Sequence, residues 1–163
     1  MSPERLATQD RRTRWDSMEG FVAVGFGCVI AGGLVAAVTG PTGFRAGSWV
    51  AAYLVLVAGV AQIGLGVGQW LLAVRAPSPS MVVVELFAWN AGSAAVVTGT
   101  LTGSALVVGV GGAGLAAALG LFLYHVRRSR SHRRWQLMLY RGLAALLAVS
   151  IPVGLFLSVL RHR

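Results

Sequence analysis

Few side chains in this 163-residue chain are equipped for chemistry, and their spacing limits what they can do. Glu85 is the last acidic residue. After it come forty-one residues, Leu86 to Val126, with no Asp, Glu, Lys or Arg. Arg141 lies in a later apolar block, and Gln62 and Asn90 are amides near the middle of two others. Each polar group in such surroundings must find a partner. Glu85 and Arg141 fall at equal depth, roughly one turn inside the same end of their segments. They can therefore form an ion pair, or each can snorkel separately to headgroups. A buried pair costs desolvation, so its value would lie in fixing helix order. Gln62 and Asn90 also match in depth on antiparallel segments. A hydrogen bond between them would contribute on the order of 0.6 kcal/mol. That bond reads first as glue between helices, and second as a polar spot lining a path. Trp89, Gln69 and Trp70 stand ready to extend it.

Catalytic and cofactor constellations are not assembled. His125, His132 and His162 are peripheral, so two facing axial ligands for a membrane haem cannot be supplied. No His/Asp/Glu cluster has metal-ligand spacing. Cys28, the one cysteine, sits inside an apolar run; having no second cysteine excludes an intramolecular disulfide, and with the histidines peripheral no Cys-His or Ser-His-acid arrangement can be assembled. Gly109, Gly111 and Gly114 spell G-x-G-x-x-G, but a dinucleotide fingerprint needs a preceding strand and a later acidic residue. Neither exists here. The sequence predicts no catalytic, cofactor or metal site, and a protein that is not an enzyme.

The elements that must hold these residues follow from composition. Hydrophobic residues make up 56% and charged residues 12%, too little polar cover for an aqueous surface. The pattern predicts an all-α integral membrane bundle of five helices. Spans are expected at about 20–39, 48–74, 81–98, 104–124 and 136–160, with a polar cytoplasmic segment over 1–19. Gly40-Pro41-Thr42-Gly43 should stop the first span. Trp49 and Trp70 lie roughly 31 Å apart along a helix and mark the two interfaces of the second. Ala76-Pro77-Ser78-Pro79-Ser80 connects the second and third, and Gly99 to Ser104 turns the chain into the fourth. Pro152 should kink the fifth. The first nineteen residues are too long and too mixed in charge for a signal peptide, so the first span is read as retained.

All fourteen basic residues are arginine, giving a net charge of +9. They sit at ends and loops, which points to anionic lipid and topology rather than nucleic acid. With the N-terminus cytoplasmic, ten fall inside and three outside, Arg141 being at a helix end. Five of the ten, Arg127, Arg128, Arg130, Arg133 and Arg134, crowd the loop 125–135, a candidate contact for lipid headgroups or an acidic partner. Residues 161–163 form a basic C-terminal end. It is outside in this arrangement, or cytoplasmic if the fifth span is re-entrant at Pro152.

Glycine and alanine recur four apart in Gly64/Gly68, Gly109/Ala113, Gly112/Ala116, Gly114/Ala118, Gly32/Ala36 and Gly33/Ala37. Such faces let helices approach closely, within the chain or across a partner subunit. These glycine- and alanine-rich spans, the all-arginine basicity and the phrase Ala88-Trp89-Asn90-Ala91-Gly92 resemble small multi-pass membrane proteins of actinobacteria. That resemblance implies a bacterial inner membrane and no assigned activity. The chain is expected to be a non-catalytic accessory or scaffold subunit of a larger membrane complex. The alternative is a small homo-oligomeric transporter or channel whose path is lined from spans two, three and five. A membrane enzyme acting on lipid would have only Glu85 as an acid within a span.

Overall fold

The computed structural model describes residues 3–72 and 78–126, with isolated positions 138, 142 and 145, and side-chain surroundings over 18–72 and 78–124. Every regular element among the described residues is helical. In order these are α1 (Pro3–Thr42), α2 (Gly47–Tyr53), a π-helical segment (Leu54–Ala61), α3 (Gln62–Leu72), α4 (Pro79–Thr102) and α5 (Ala105–Val126). Four stretches are long and apolar enough to cross a membrane: Met18–Thr42, Gly47–Leu72, Pro79–Thr102 and Ala105–Tyr124. The expected fifth span, the arginines of the basic loop and Arg141 lie outside the described residues.

Three boundaries differ from expectation. The helix expected to end at Thr39 continues to Thr42 with Pro41 in its final turn, where proline cannot donate to the carbonyl one turn back and the helix ends one residue later. The stop is Gly43, whose φ of +64° suits only glycine without strain. At its other end α1 begins at Pro3, so the polar segment is continuous with the first span. The third span starts at Pro79 and runs to Thr102, beyond the expected Thr98. Ser78 caps it: its hydroxyl accepts from Met81 N at 3.3 Å, ahead of Pro79 in the first turn. Gly103, at φ +72°, turns the chain, and Ser104 N bonds back to Gly99 O at 2.8 Å.

The second span is one continuous rod built from α2, the π-helical segment and α3. A π turn closes i→i+5 bonds and widens the helix, a distortion that recurs at functional sites. The apolar run Leu54–Ala61 carries no sequence signal for it. The wide segment faces the first span, and glycine sets the distance between them. A Cβ at Gly59 would lie 3.0 Å from the Gly25 carbonyl oxygen, and one at Gly25 would lie 3.1 Å from that of Gly59. One turn and two turns away, Gly66 packs on Phe21 and Gly32 on Ala51 and Val55.

A second antiparallel pair forms from α4 and α5. Gly92 and Gly111 approach through their carbonyl oxygens, and Gly99 abuts the backbone of Val108. Gly99 thus packs against α5 while its carbonyl closes the turn. Phe21, Trp89 and Phe122 join the two pairs in the buried core. Phe21 and Phe122 have ring centroids 5.3 Å apart, and Trp89 meets Phe122 edge-on at 6.3 Å. Between spans in lipid there is no water to expel, so such ring and glycine contacts supply the packing energy.

Candidate functional site

Four threonines in the spans are satisfied locally. Thr39, Thr42, Thr100 and Thr102 donate to the carbonyl one turn back, at 2.6 to 2.9 Å. The buried polar residues, Gln62, Gln69, Glu85 and Ser93, lie on the second span and α4.

Glu85, Trp89 and Ser93 are spaced four apart and share one face of α4. All three are buried, Glu85 completely. Gln62 and Gln69, two turns apart on α3, are buried as well. Gln69 donates from Nε2 to both carboxyl oxygens of Glu85, at 3.2 and 3.1 Å. Glu85 therefore does not snorkel; it is held inside the bundle by a residue from the neighbouring span. Gln62 donates to the carbonyl of Phe21 at 3.3 Å, tying α3 to α1.

The expected hydrogen bond between Gln62 and Asn90 is replaced by others. Asn90 donates to the Leu86 carbonyl at 2.8 Å, and its Oδ1 faces the Cys28 thiol at 3.9 Å. Matching depth was met, but helix rotation decides contact. Asn90 is about 100° round from Trp89, off the Glu85–Ser93 face and toward the first span. Gln69 was legible only as an extension of the polar network, and it is the residue that meets the acid. Its offset of seven from Gln62 is the signal that places both on one face.

On the second span and α4 four buried polar atoms have no hydrogen-bond partner among the described residues: Tyr53 OH, Gln62 Oε1, Trp89 Nε1 and Ser93 Oγ. The Tyr53 hydroxyl is a neighbour of Ser93. Tyr53 closes α2 where the π-helical segment begins, and Gln62 opens α3 where it ends. The unpartnered groups thus bracket the distorted part of the second span.

The small-residue pairs divide. Gly32, Gly111, Gly112 and Ala118 face inward, whereas Gly33, Ala37, Ala113 and Ala116 are exposed. At Gly27, Gly33, Gly109 and Gly120 an added Cβ would meet nothing. Gly111, the middle glycine of G-x-G-x-x-G, lies on an interhelix contact rather than a strand-to-helix turn. A comparison with known protein families, curated proteins and solved structures finds no match.

Proposed function

We propose that this chain is a non-catalytic integral protein of a bacterial inner membrane, with five spans and a cytoplasmic N-terminus, serving as an accessory or scaffold subunit of a larger membrane assembly. The outward face of α1 supports this best. Phe26, Ile30 and Leu34 project there, with Gly27 and Gly33 open between them. Bulky and absent side chains in alternation give another helix ridges and grooves to pack against. The arginine-rich loop would add an acidic contact, on lipid headgroups or on the partner. Purification in native-like lipid should return a defined partner, and Gly33→Leu should weaken its recovery. Recovery as a free monomer, under conditions that keep neighbouring complexes intact, would overturn the reading. The topology has its own check. A cysteine introduced in place of Arg130, in a Cys28→Ser background, should escape membrane-impermeant thiol reagents in intact cells; ready labelling would invert the arrangement.

A second reading is favoured by the Glu85–Gln69 pair and the seam beyond it: a small homo-oligomeric transporter or channel. Buried ionisable groups in spans commonly mark a path for ions or protons. On this reading Glu85→Gln abolishes flux in reconstituted vesicles, and unchanged flux removes the role.

A further inference from the structure

We propose that the seam between the second span and α4 is an internal water-binding site, in which ordered water serves Tyr53, Gln62, Trp89 and Ser93. Three of these side chains are more than nine-tenths buried: Gln62, Trp89 and Ser93. Each brings a polar atom without a bond among the described residues: an acceptor on Gln62, a donor on Trp89 and a hydroxyl on Ser93. The hydroxyl of Tyr53 is a fourth.

A buried polar atom left unbonded costs about 1–3 kcal/mol. Four in one seam would strain a protein whose total stability is only about 5–15 kcal/mol. Buried water normally serves such groups, making roughly three hydrogen bonds to otherwise unsatisfied partners. The mixture here suits it. Water can donate to Gln62 Oε1 and accept from Trp89 Nε1, and it can do either with the hydroxyls of Ser93 and Tyr53. The threonines of the same bundle offer the contrast, because their hydroxyls reach their own helix carbonyls and need nothing further.

The location also fits. Starting from the Gln69–Glu85 contact and moving two turns along α3 brings Gln62 level with the stretch of α4 between Trp89 and Ser93. Tyr53 extends the line toward the other membrane face, where it neighbours Ser93. Between Tyr53 and Gln62 the second span is π-helical, and a widened turn is a place where water commonly enters a helix. The site goes beyond both functional readings, since a scaffold and a transporter could each contain it.

The test measures hydration directly in the full chain in lipid nanodiscs, by water-to-protein magnetisation transfer in solid-state NMR. The Trp89 indole N–H, assigned by its loss in Trp89→Phe, should build up signal several-fold faster than the methyl groups of the buried Leu65 and Leu115. Ser93→Ala and Gln62→Leu should each slow the Trp89 build-up, because each removes a partner of the same water. A Trp89 rate equal to that of the leucine methyls would overturn the proposal. So would rapid transfer that is unchanged in both variants, because the water would then be held by other groups. Thermal unfolding adds a readout of opposite sign. A dry seam predicts a higher midpoint for Ser93→Ala, as an unbonded hydroxyl is removed, whereas a hydrated one predicts a lower midpoint.

Discussion

Gln69 reaches both carboxyl oxygens of Glu85 with a single amide nitrogen, across the interface of α3 and α4. Both residues are buried, so neither can turn to water if the other is removed. Hydrogen bonds to a carboxylate run to about 1.5–3 kcal/mol, while polar contacts between membrane helices average about 0.6 and reach about 1.7. Complete burial of Glu85 puts this pair near the upper membrane value. Gln69→Leu should therefore lower stability by about 1.5 kcal/mol in detergent unfolding. Glu85→Leu with Gln69→Leu should show a coupling of similar size in a double-mutant cycle. Strict additivity would mean the contact contributes nothing.

Gly109 and Gly111 make a matched pair of substitutions two residues apart on α5. A methyl group at Gly111 would stand 2.7 Å from the Gly92 carbonyl oxygen and 2.8 Å from Val96 N, both backbone atoms that cannot step aside. Gly111→Ala should cost about 1–3 kcal/mol through forced separation of α4 and α5. Gly109 meets open space. Gly109→Ala should be neutral, or stabilising by up to about 1 kcal/mol from helix propensity. Equal effects at the two positions would show that glycine spacing, and not this interface, sets the response.

Those two glycines also show what the sequence could and could not convey. Apolar length placed the four described spans within a few residues, because hydropathy over some twenty residues is a strong constraint. Which face of each helix turns inward was not legible. Glycine followed by alanine four residues on occurs on both faces of α1 and α5, and only the partner helix distinguishes Gly32 from Gly33. The π-helical segment was invisible for a related reason, as the apolar run Leu54–Ala61 suits either winding. Depth arithmetic matched Gln62 with Asn90, whereas Gln62 donates to the Phe21 carbonyl. It measures position along the axis and says nothing of rotation about it. The turn expected over Gly99 to Ser104 is made at Gly103, the glycine with positive φ, and Ser104 N bonds back across it to the Gly99 carbonyl.

Gly103 carries that turn. At φ +72° a side chain meets the following carbonyl, at a cost of roughly 1–2 kcal/mol. Gly103→Val should therefore destabilise the α4–α5 hairpin, whereas Gly103→Asn should cost less, since asparagine tolerates the left-handed region. Thermal unfolding of the three proteins should rank glycine, asparagine, valine. A valine variant as stable as the parent would show that the turn can be remade without positive φ.

Rescue experiments separate clashes with side chains from clashes with backbone. At Gly25 the nearest obstacles to a new methyl group are the side-chain atoms of Ile63, at 2.5 and 3.1 Å, with the Gly59 carbonyl oxygen at 3.1 Å. Gly25→Ala alone should open the contact between α1 and the second span, at a cost of about 1–3 kcal/mol. Ile63→Ala alone should cost about 2–5 kcal/mol at full burial and less here, where Ile63 is half-buried. Combined, they should lose less than the sum by at least about 0.5 kcal/mol, because the methyl group introduced by Gly25→Ala occupies space that Ile63→Ala vacates. The residual penalty should reflect the Gly59 carbonyl, which no side-chain truncation removes. No such rescue is expected for Gly111→Ala, whose nearest neighbours are both main-chain atoms. Unfolding midpoints for the single and double variants decide the point: additive losses at Gly25 and Ile63 would place the block in the backbone there as well.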